Sequence, residues 1–493
     1  MELIVRLYKL PLSGLLFSTL VLLYCLHLNL KKRAQSQLPP LVSYALPFIG
    51  SAFSFGKDPI LFLRKAYQKH GSVFSVYMFG NTCTYLVGSE ASSCWFNSKN
   101  EDLNAEEVYA KLTVPVFGKG VAYDVENAEF CEQKKIMKNG LTVARFQEYV
   151  GMIEEETRDH IKGLPAEGEM NLFEFLSELI IATASRCLLG AEIRSKLDSS
   201  VAKLYSDLDG GFSSAAWLLP AWVPLPSLIR RDRAHHALKR IFQEIIEARR
   251  KENRLNESDM LATFMTATYR NGTQLTDEQV SGMCIAMLLA GQHTSSTTSA
   301  WLGFFLCTSK QLKEKCRSEV RNVISDSLSY DNLKELVTLD HCLKETLRLR
   351  PPIMTLMRRC KKSFKVNNFV VPEGHIVCVS PTVNHILQEH WKDPEKFSPD
   401  RFESTKEGLP TAECNEGGGT NVKCGKYSYV PFGAGRHRCV GEMFAYLQIK
   451  TIWAVLLDEL DFERDDLPAI NYQTMIHTPL NPLVRYRRLK PSP

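Results

Sequence analysis

Phe432-Gly433-Ala434-Gly435-Arg436-His437-Arg438-Cys439-Val440-Gly441, followed by Glu442-Met443-Phe444-Ala445-Tyr446, sets one cysteine among glycines and basic residues at the start of a helical run. At a helix N-terminus the unpaired amides and the dipole lower a thiol's pKa, and Arg436 and Arg438 add positive charge, so a thiolate is favoured at Cys439. A thiolate ligates iron. Gly433, Gly435 and Gly441 withhold side chains where backbone has to pass a large planar group and where amides have to face sulfur. A lone cysteine in a glycine-rich turn is usually structural; the whole pattern, with cations placed to meet haem propionates, points to a haem ligand.

Upstream, Thr276-Asp277-Glu278-Gln279 has capping-box spacing and opens a long helix, apolar over 280–290 and again over 300–307. Such a helix belongs in a core, where the polar block Gly291-Gln292-His293-Thr294-Ser295-Ser296-Thr297-Thr298 costs free energy unless each group finds a partner. Ser and Thr can bond back to helix carbonyls, which leaves His293 unexplained. A histidine of near-neutral pKa beside Thr294 can relay protons from solvent, the more so if a carboxylate pairs with it. In Lys344-Glu345-Thr346-Leu347-Arg348 a spacing of three puts Glu345 and Arg348 on one helix face. Pro351 and Pro352 end that helix, and Pro399-Asp400-Arg401-Phe402 supplies a second arginine.

The 493 residues are 44% apolar and 23% charged, which suits a folded protein with a large core, and a net charge of +5 makes no case for nucleic-acid binding. Alternating runs at 73–78, 84–87, 369–371 and 375–380 read as strands, whereas 173–187 and 233–251 read as helices. The expected fold is mainly α with small β-sheets. Cysteines in apolar stretches, such as Cys187, Cys284, Cys307 and Cys342, without Cys-x-x-Cys spacing, argue for buried thiols in a reducing compartment. Residues 10–30 carry no formal charge and are long enough for one membrane span, and Lys31-Lys32-Arg33 place the large C-terminal domain in the cytoplasm. The expected organisation is a tail at 1–9, a transmembrane anchor at 10–30, a basic and Pro-rich linker at 31–50, and a catalytic domain at 51–493. Asn256-Glu257-Ser258 and Asn271-Gly272-Thr273 are formal glycosylation acceptors, which a cytosolic domain would leave unmodified.

The cysteine stretch resembles the haem-binding loop of the cytochrome P-450 superfamily, Phe-x-x-Gly-x-(Arg or His)-x-Cys-x-Gly, and Glu345, Arg348 and Arg401 resemble its structural Glu-Arg-Arg triad. His437, where most of the superfamily has Arg, and the block from Gly291 to Ser296 are similar to the sterol 14α-demethylase family. There the His pairs with an Asp on an earlier helix, matched here by Asp209, with Asp207 close by. Tyr109-Ala110-Lys111-Leu112-Thr113-Val114-Pro115-Val116-Phe117-Gly118-Lys119-Gly120-Val121-Ala122-Tyr123-Asp124, by itself an aromatic, glycine-punctuated loop, resembles that family's substrate-recognition signature. The similarity runs from the Pro-rich connector to His477-Thr478-Pro479, looks closest to the animal-type enzymes, and departs from them in a Gly-rich insertion at 413–426.

The resemblance implies a cytochrome P-450 fold with haem b between the long central helix and the cysteine loop, and Cys439 as the axial ligand of iron. It puts Tyr109, Tyr123, Lys134, Arg358 and His437 at the haem propionates, and Leu112, Phe117, Tyr123, Ile353 and Met475 at the sterol. Thr294, His293 and Asp209 would deliver protons. The implied reaction is O2- and NADPH-dependent removal of the 14α-methyl of a lanosterol-type sterol in three oxidations, releasing formate and leaving a 14,15 double bond. Leu112, where takers of 4-monomethylated sterols often carry Phe, implies a 4,4-dimethyl substrate. Gly433-Ala434-Gly435 runs into the cysteine and is no dinucleotide motif, so electrons are expected from an external NADPH-cytochrome P-450 reductase on the endoplasmic reticulum membrane, with Arg436 and Lys450 as candidate docking residues. Two other readings stay open: a haem-thiolate hydroxylase of another lipophilic substrate, and a non-catalytic haem- or sterol-binding membrane protein.

Overall fold

The helix Asp277–Thr308 runs through the centre of the fold, and its start is fixed by the capping box read in the sequence. The Gln279 amide donates to Thr276 Oγ1 at 3.2 Å, and the Thr276 amide donates to Gln279 Oε1 at 3.0 Å. The computed structural model describes residue 21 and residues 37–196, 199–212, 216, 224–324, 327–403 and 425–489. The apolar run at 10–30 lies outside the described residues apart from Val21, and so does nearly all of the Gly-rich insertion. Among the described residues no helix is long and apolar enough to cross a membrane.

The helices that build the site are, in chain order, α1 (Glu106–Phe117), α2 (Val143–Lys162), α3 (Leu172–Leu189), α4 (Ser199–Asp209), α5 (Pro226–Lys251), α6 (Asp277–Thr308), α7 (Val337–Leu349) and α8 (Glu442–Glu459). The central helix α6 packs most extensively on α3, and also on α1, α5, α7 and α8. It is apolar nearly all round, so its flanks carry Val280, Met283, Leu288, Trp301, Phe304 and Phe305 into one large cluster with Leu176, Ile180, Phe242 and Trp453. Where it passes α8 the approach is too close for a side chain: a Cβ on Gly303 would stand 2.6 Å from the Trp453 ring.

A five-stranded sheet flanks the helices. Its strands are β1 (Val73–Met78), β2 (Asn81–Leu86), β3 (Leu103–Asn104), β4 (Leu356–Cys360) and β5 (Ile376–Val379), in the order β1-β2-β5-β4-β3. The β2–β5 pairing is parallel and the others are antiparallel. Alternation sends Phe74, Val76, Tyr85 and Cys378 to one cluster and Val73, Leu86, Val377 and Val379 to another. The Pro-rich segment is no free spacer: Val42 N donates to Ser75 O at 2.8 Å and Ser75 N to Pro40 O at 2.9 Å, so the folded unit reaches back ahead of residue 51 along the edge of β1.

A buried ion cluster joins α7 to the loops below the site. Arg348 donates to both oxygens of Glu345 at 2.7 and 2.9 Å, Arg401 adds a bond to Glu345 at 3.0 Å, and all three side chains are buried. Arg348 also donates to the carbonyls of His385 (2.8 Å) and Pro394 (2.7 Å). His385 extends the cluster towards the cysteine loop, with Nδ1 3.1 Å from the Arg348 carbonyl and Nε2 accepting from Val430 N at 2.8 Å. That pairing fixes one neutral tautomer, with the proton on Nδ1.

Candidate active site

Val430 leads into the cysteine loop, where Gly433 N donates to Val430 O, Cys439 N donates to Phe432 O, and α8 begins at Glu442. Gly433 and Gly435 both have φ in the left-handed region, and a Cβ on Gly435 would stand 2.7 Å from the Phe96 carbonyl, so backbone packing demands that glycine. The amides of Gly441 and Glu442 and the Lys134 ammonium lower the Cys439 pKa, but burial acts first and holds the thiol above its ordinary value. Arg438 pairs with Glu442 at 2.8 Å one turn along α8, and Arg436 donates to the Leu103 carbonyl at 3.0 Å. Lys134 reaches the loop instead, donating to the Arg436 and Arg438 carbonyls at 2.7 and 2.9 Å.

Above this loop cationic groups converge. Arg358, fully buried on β4, donates to the Trp95 carbonyl (2.7 Å) and Ser98 Oγ (3.0 Å), yet its Nε and Nη2 have no hydrogen-bond partner among the described residues. Both ring nitrogens of His437 and the Arg436 Nε are likewise buried without hydrogen-bond partners among the described residues. Burial and Arg436 push the Arg358 guanidinium down to about 9, and burial with Arg358, Arg436 and Lys134 pushes His437 down to about 3. The aromatics stack beside them: Tyr109 on Tyr123 (5.1 Å), Tyr123 on Phe130 (5.2 Å), Phe130 on His437 (5.4 Å). Buried donors left over on the Arg358 and Arg436 cations and on neutral His437 are what the carboxylates of a haem would satisfy, so this donor set and the cysteine fit that group.

On α6, His293 Nε2 stands 3.3 Å from Asp209 Oδ1, without hydrogen-bond alignment, at the end of α4. Asp207 instead faces Arg230 at 3.6 Å. Burial lowers the His293 pKa and raises that of Asp209, while each group's charge partly offsets the other's shift. Thr294 Oγ1 donates to the Ala290 carbonyl at 2.6 Å, which leaves its oxygen lone pairs as acceptors.

Leu112, Phe117 and Met475 come together through a residue the sequence did not single out. Leu112 is buried in a small cluster with Ala216 and Leu228, against which Phe212 and Met475 pack, and the Phe212 ring lies 6.1 Å from Phe117. Ile353 is 42% exposed and is joined to Ile476 by an isolated β-bridge. Phe130 and Phe212 carried no motif of their own; their signal was position, one beside Lys134 and the other directly after Gly210-Gly211. The block from Tyr109 is also not a loop throughout. It is helical to Phe117, because Pro115 falls in the last turn, where it removes a single backbone bond before Gly118 ends the helix at φ 92. The tip of α1 is tied to α5 by His235 Nδ1, 2.9 Å from the Val116 carbonyl, at the rim of a cavity of about 310 Å³.

Lys450 does not serve the surface. It is buried on α8 with its ammonium 3.2 Å from Asp340, because that helix is enclosed on all sides, so it is removed from the docking candidates.

Comparison with known proteins agrees with this geometry. The family description Cytochrome P450 matches residues 39–484. Lanosterol 14-alpha demethylase of Bos taurus is 55% identical over 455 residues, covering 91% of this chain and 88% of its own length. The Mus musculus enzyme of the same name is 54% identical over 479 residues, covering 95% and 92%. Sterol 14-demethylase of Arabidopsis thaliana is 39% identical, covering 92% of each. Among solved structures, retinoic acid bound cyanobacterial CYP120A1 superposes with a TM-score of 0.79 over 92% of this chain and 99% of its own, at 22% identity, which speaks for the fold. With a cysteine loop, a cation cluster that fits haem, and animal relatives above 50% identity over nearly its whole length, the chain belongs to the cytochrome P450 family and, within it, to the sterol 14α-demethylases.

Proposed function

We propose that this chain is a sterol 14α-demethylase that removes the 14α-methyl of a lanosterol-type sterol in three successive oxidations, to alcohol, to aldehyde and then to formate with a 14,15 double bond. The observation that carries the reading is the His293–Asp209 pair beside Thr294 on the central helix α6. Cys439 would hold haem iron, and Arg358, His437, Lys134, Tyr109 and Tyr123 would hold its propionates. When bound, the haem supplies oxygen activation.

The chain's own residues do the rest. Tyr109 is anchored by the Met357 amide, which donates to its hydroxyl at 3.0 Å, and burial pushes its ionisation up, so the phenol stays a neutral donor. Burial likewise pushes Tyr123 up to about 12. His293, neutral at physiological pH, takes a proton arriving from solvent and passes it towards Thr294, while Asp209 stabilises the imidazolium that forms. Leu112, Phe117, Phe212 and Met475 offer an apolar wall to a sterol ring system and exclude water from it. Leu112, where takers of 4-monomethylated sterols often carry Phe, supports a 4,4-dimethyl sterol.

We further read residues 10–30 as a single membrane span in the endoplasmic reticulum, with the catalytic domain in the cytoplasm and an NADPH-cytochrome P-450 reductase supplying electrons. Asn271 is exposed in a turn, so its glycosylation would reverse that topology. The deciding experiment is reconstitution of the full chain with reductase, NADPH and lanosterol. Formate and 14-demethylated sterol are the expected products; a thiolate-type ferrous carbon monoxide spectrum with coupled turnover of other lipids but not of any 14α-methyl sterol would overturn the assignment.

A further inference from the structure

The proton-relay helix and the segment carrying Met475 are joined by one buried bond. Trp301, fully buried on α6, donates from Nε1 to the His477 carbonyl at 2.7 Å. Residues 294 and 301 are seven apart, about two turns, so Trp301 leaves the helix on the face that carries Thr294. The acceptor sits two residues after Met475. His477 N in turn donates to the Pro352 carbonyl at 3.2 Å, and Ile476 bridges to Ile353, so two of the five candidate sterol contacts, Ile353 and Met475, hang on this junction.

The surroundings hold the indole in place. The Arg350 guanidinium lies 5.0 Å from the Trp301 ring and 5.9 Å from Phe305, and Phe305 stacks on Phe397 at 4.2 Å. His477 buries its ring, and burial with the nearby Arg350 pushes its pKa down to about 4, against a backbone hydrogen bond with Pro351 that acts the other way, so the ring is neutral. On the outer side, exposed Thr474 Oγ1 donates to the Ile476 carbonyl at 2.7 Å and lies 3.1 Å from Thr478 Oγ1. The segment is thus tied to the central helix within and closed on itself by a threonine pair on its solvent side.

We infer that Trp301 is a positioning residue of the sterol site: its indole N–H indexes the Met475–His477 segment to the helix face bearing Thr294, and so keeps a partly oxidised sterol in register for the next oxidation. This rests on the demethylase reading above. A three-step enzyme must hold the alcohol and the aldehyde without releasing them, and a wall that shifts relative to the relay lets them go. Trp301 touches neither sterol nor reacting atoms, so it acts on partition between steps more than on the first oxidation.

The test is Trp301→Phe in the haem-loaded full chain, which keeps an aromatic ring under Arg350 and deletes the donor. Leaving the buried His477 carbonyl unpaired should raise the released alcohol and aldehyde, relative to demethylated sterol, roughly ten-fold. Amide exchange over 475–478 should rise while the ferrous carbon monoxide spectrum stays that of the wild type. Should Trp301→Phe fail to fold, Thr474→Val loosens the same segment from its solvent side and should shift the partition in the same direction. An unchanged partition, or unchanged exchange over 475–478, overturns the inference, as does a loss of melting temperature with wild-type partition. A wild-type chain that yields no demethylated sterol would instead sink the demethylase reading; exchange at 475–478 in Trp301→Phe would still report on the Trp301 bond.

Discussion

Asp209 and His293 meet side chain to side chain, Oδ1 to Nε2 at 3.3 Å, while Asp207, two residues earlier on the same helix, turns to Arg230. Two residues of helix rotate a side chain by about 200°, so only one of these two carboxylates can serve the pair. Asp209→Asn removes the charge that raises the His293 pKa. His293 is then protonated only at lower pH, and the acid limb of the turnover profile should move down. Turnover at neutral pH should fall about 10²-fold, as should that of His293→Ala, with the carbon monoxide spectrum retained in both. A wild-type acid limb in Asp209→Asn would exclude the pair from the relay.

Cys439→Ser should abolish the thiolate-type ferrous carbon monoxide band. The loop itself is set by backbone bonds from Cys439 N and Gly433 N, and these survive the substitution. Circular dichroism should therefore match the wild type, and a retained thiolate band would reassign the ligand.

Glu345 accepts from two arginines and the Ser398 amide in a fully buried setting. Glu345→Gln leaves buried cations without their counter-charge and should cost about 3–5 kcal/mol. Denaturant unfolding of the haem-loaded protein would measure it. A cost under about 1 kcal/mol would mean that the carbonyls around Arg348 suffice.

Acid should destabilise the fold through neutral histidines. Burial holds His385 to about 3 and His375 and His477 to about 4, against about 6.5 in the unfolded chain. Their contribution is complete above pH about 6.5 and is lost as pH falls towards 3 to 4, because only the unfolded chain binds those protons. Each contributes a slope of about 1.4 kcal/mol per pH unit in that window. His385→Gln should lower proton uptake on unfolding at pH 5 by about one; an unchanged uptake would mean that His385 is charged in the native state.

What the sequence disclosed was local. Thr276 and Gln279 marked the start of α6 to the residue, Glu345 and Arg348 their shared face, and the runs at 73–78 and 369–371 their strands, since caps and periodicities act within a few residues. Lys450 was misread because the carboxylate that explains it, Asp340, lies 110 residues away. Phe212 was passed over because its partner Phe117 lies far earlier in the chain, at the end of α1, and the helical state of α1 because its aromatics and glycines read as a loop. The positive charge expected of Arg438 near sulfur is joined by that of Lys134, a residue with no sequence link to the loop.

The capping box at Thr276 makes α6 a ruler with a fixed zero. Position along it is counted from that cap, so the chemistry at His293 and Thr294 depends on the number of residues between as well as on their identity. A single inserted residue would swing both side chains through about 100°, and a four-residue insertion would nearly restore their direction but carry them about 6 Å along the axis. Between residues 276 and 301 this chain can therefore drift in composition but not in length, and gaps there would mark descendants that have left the chemistry behind.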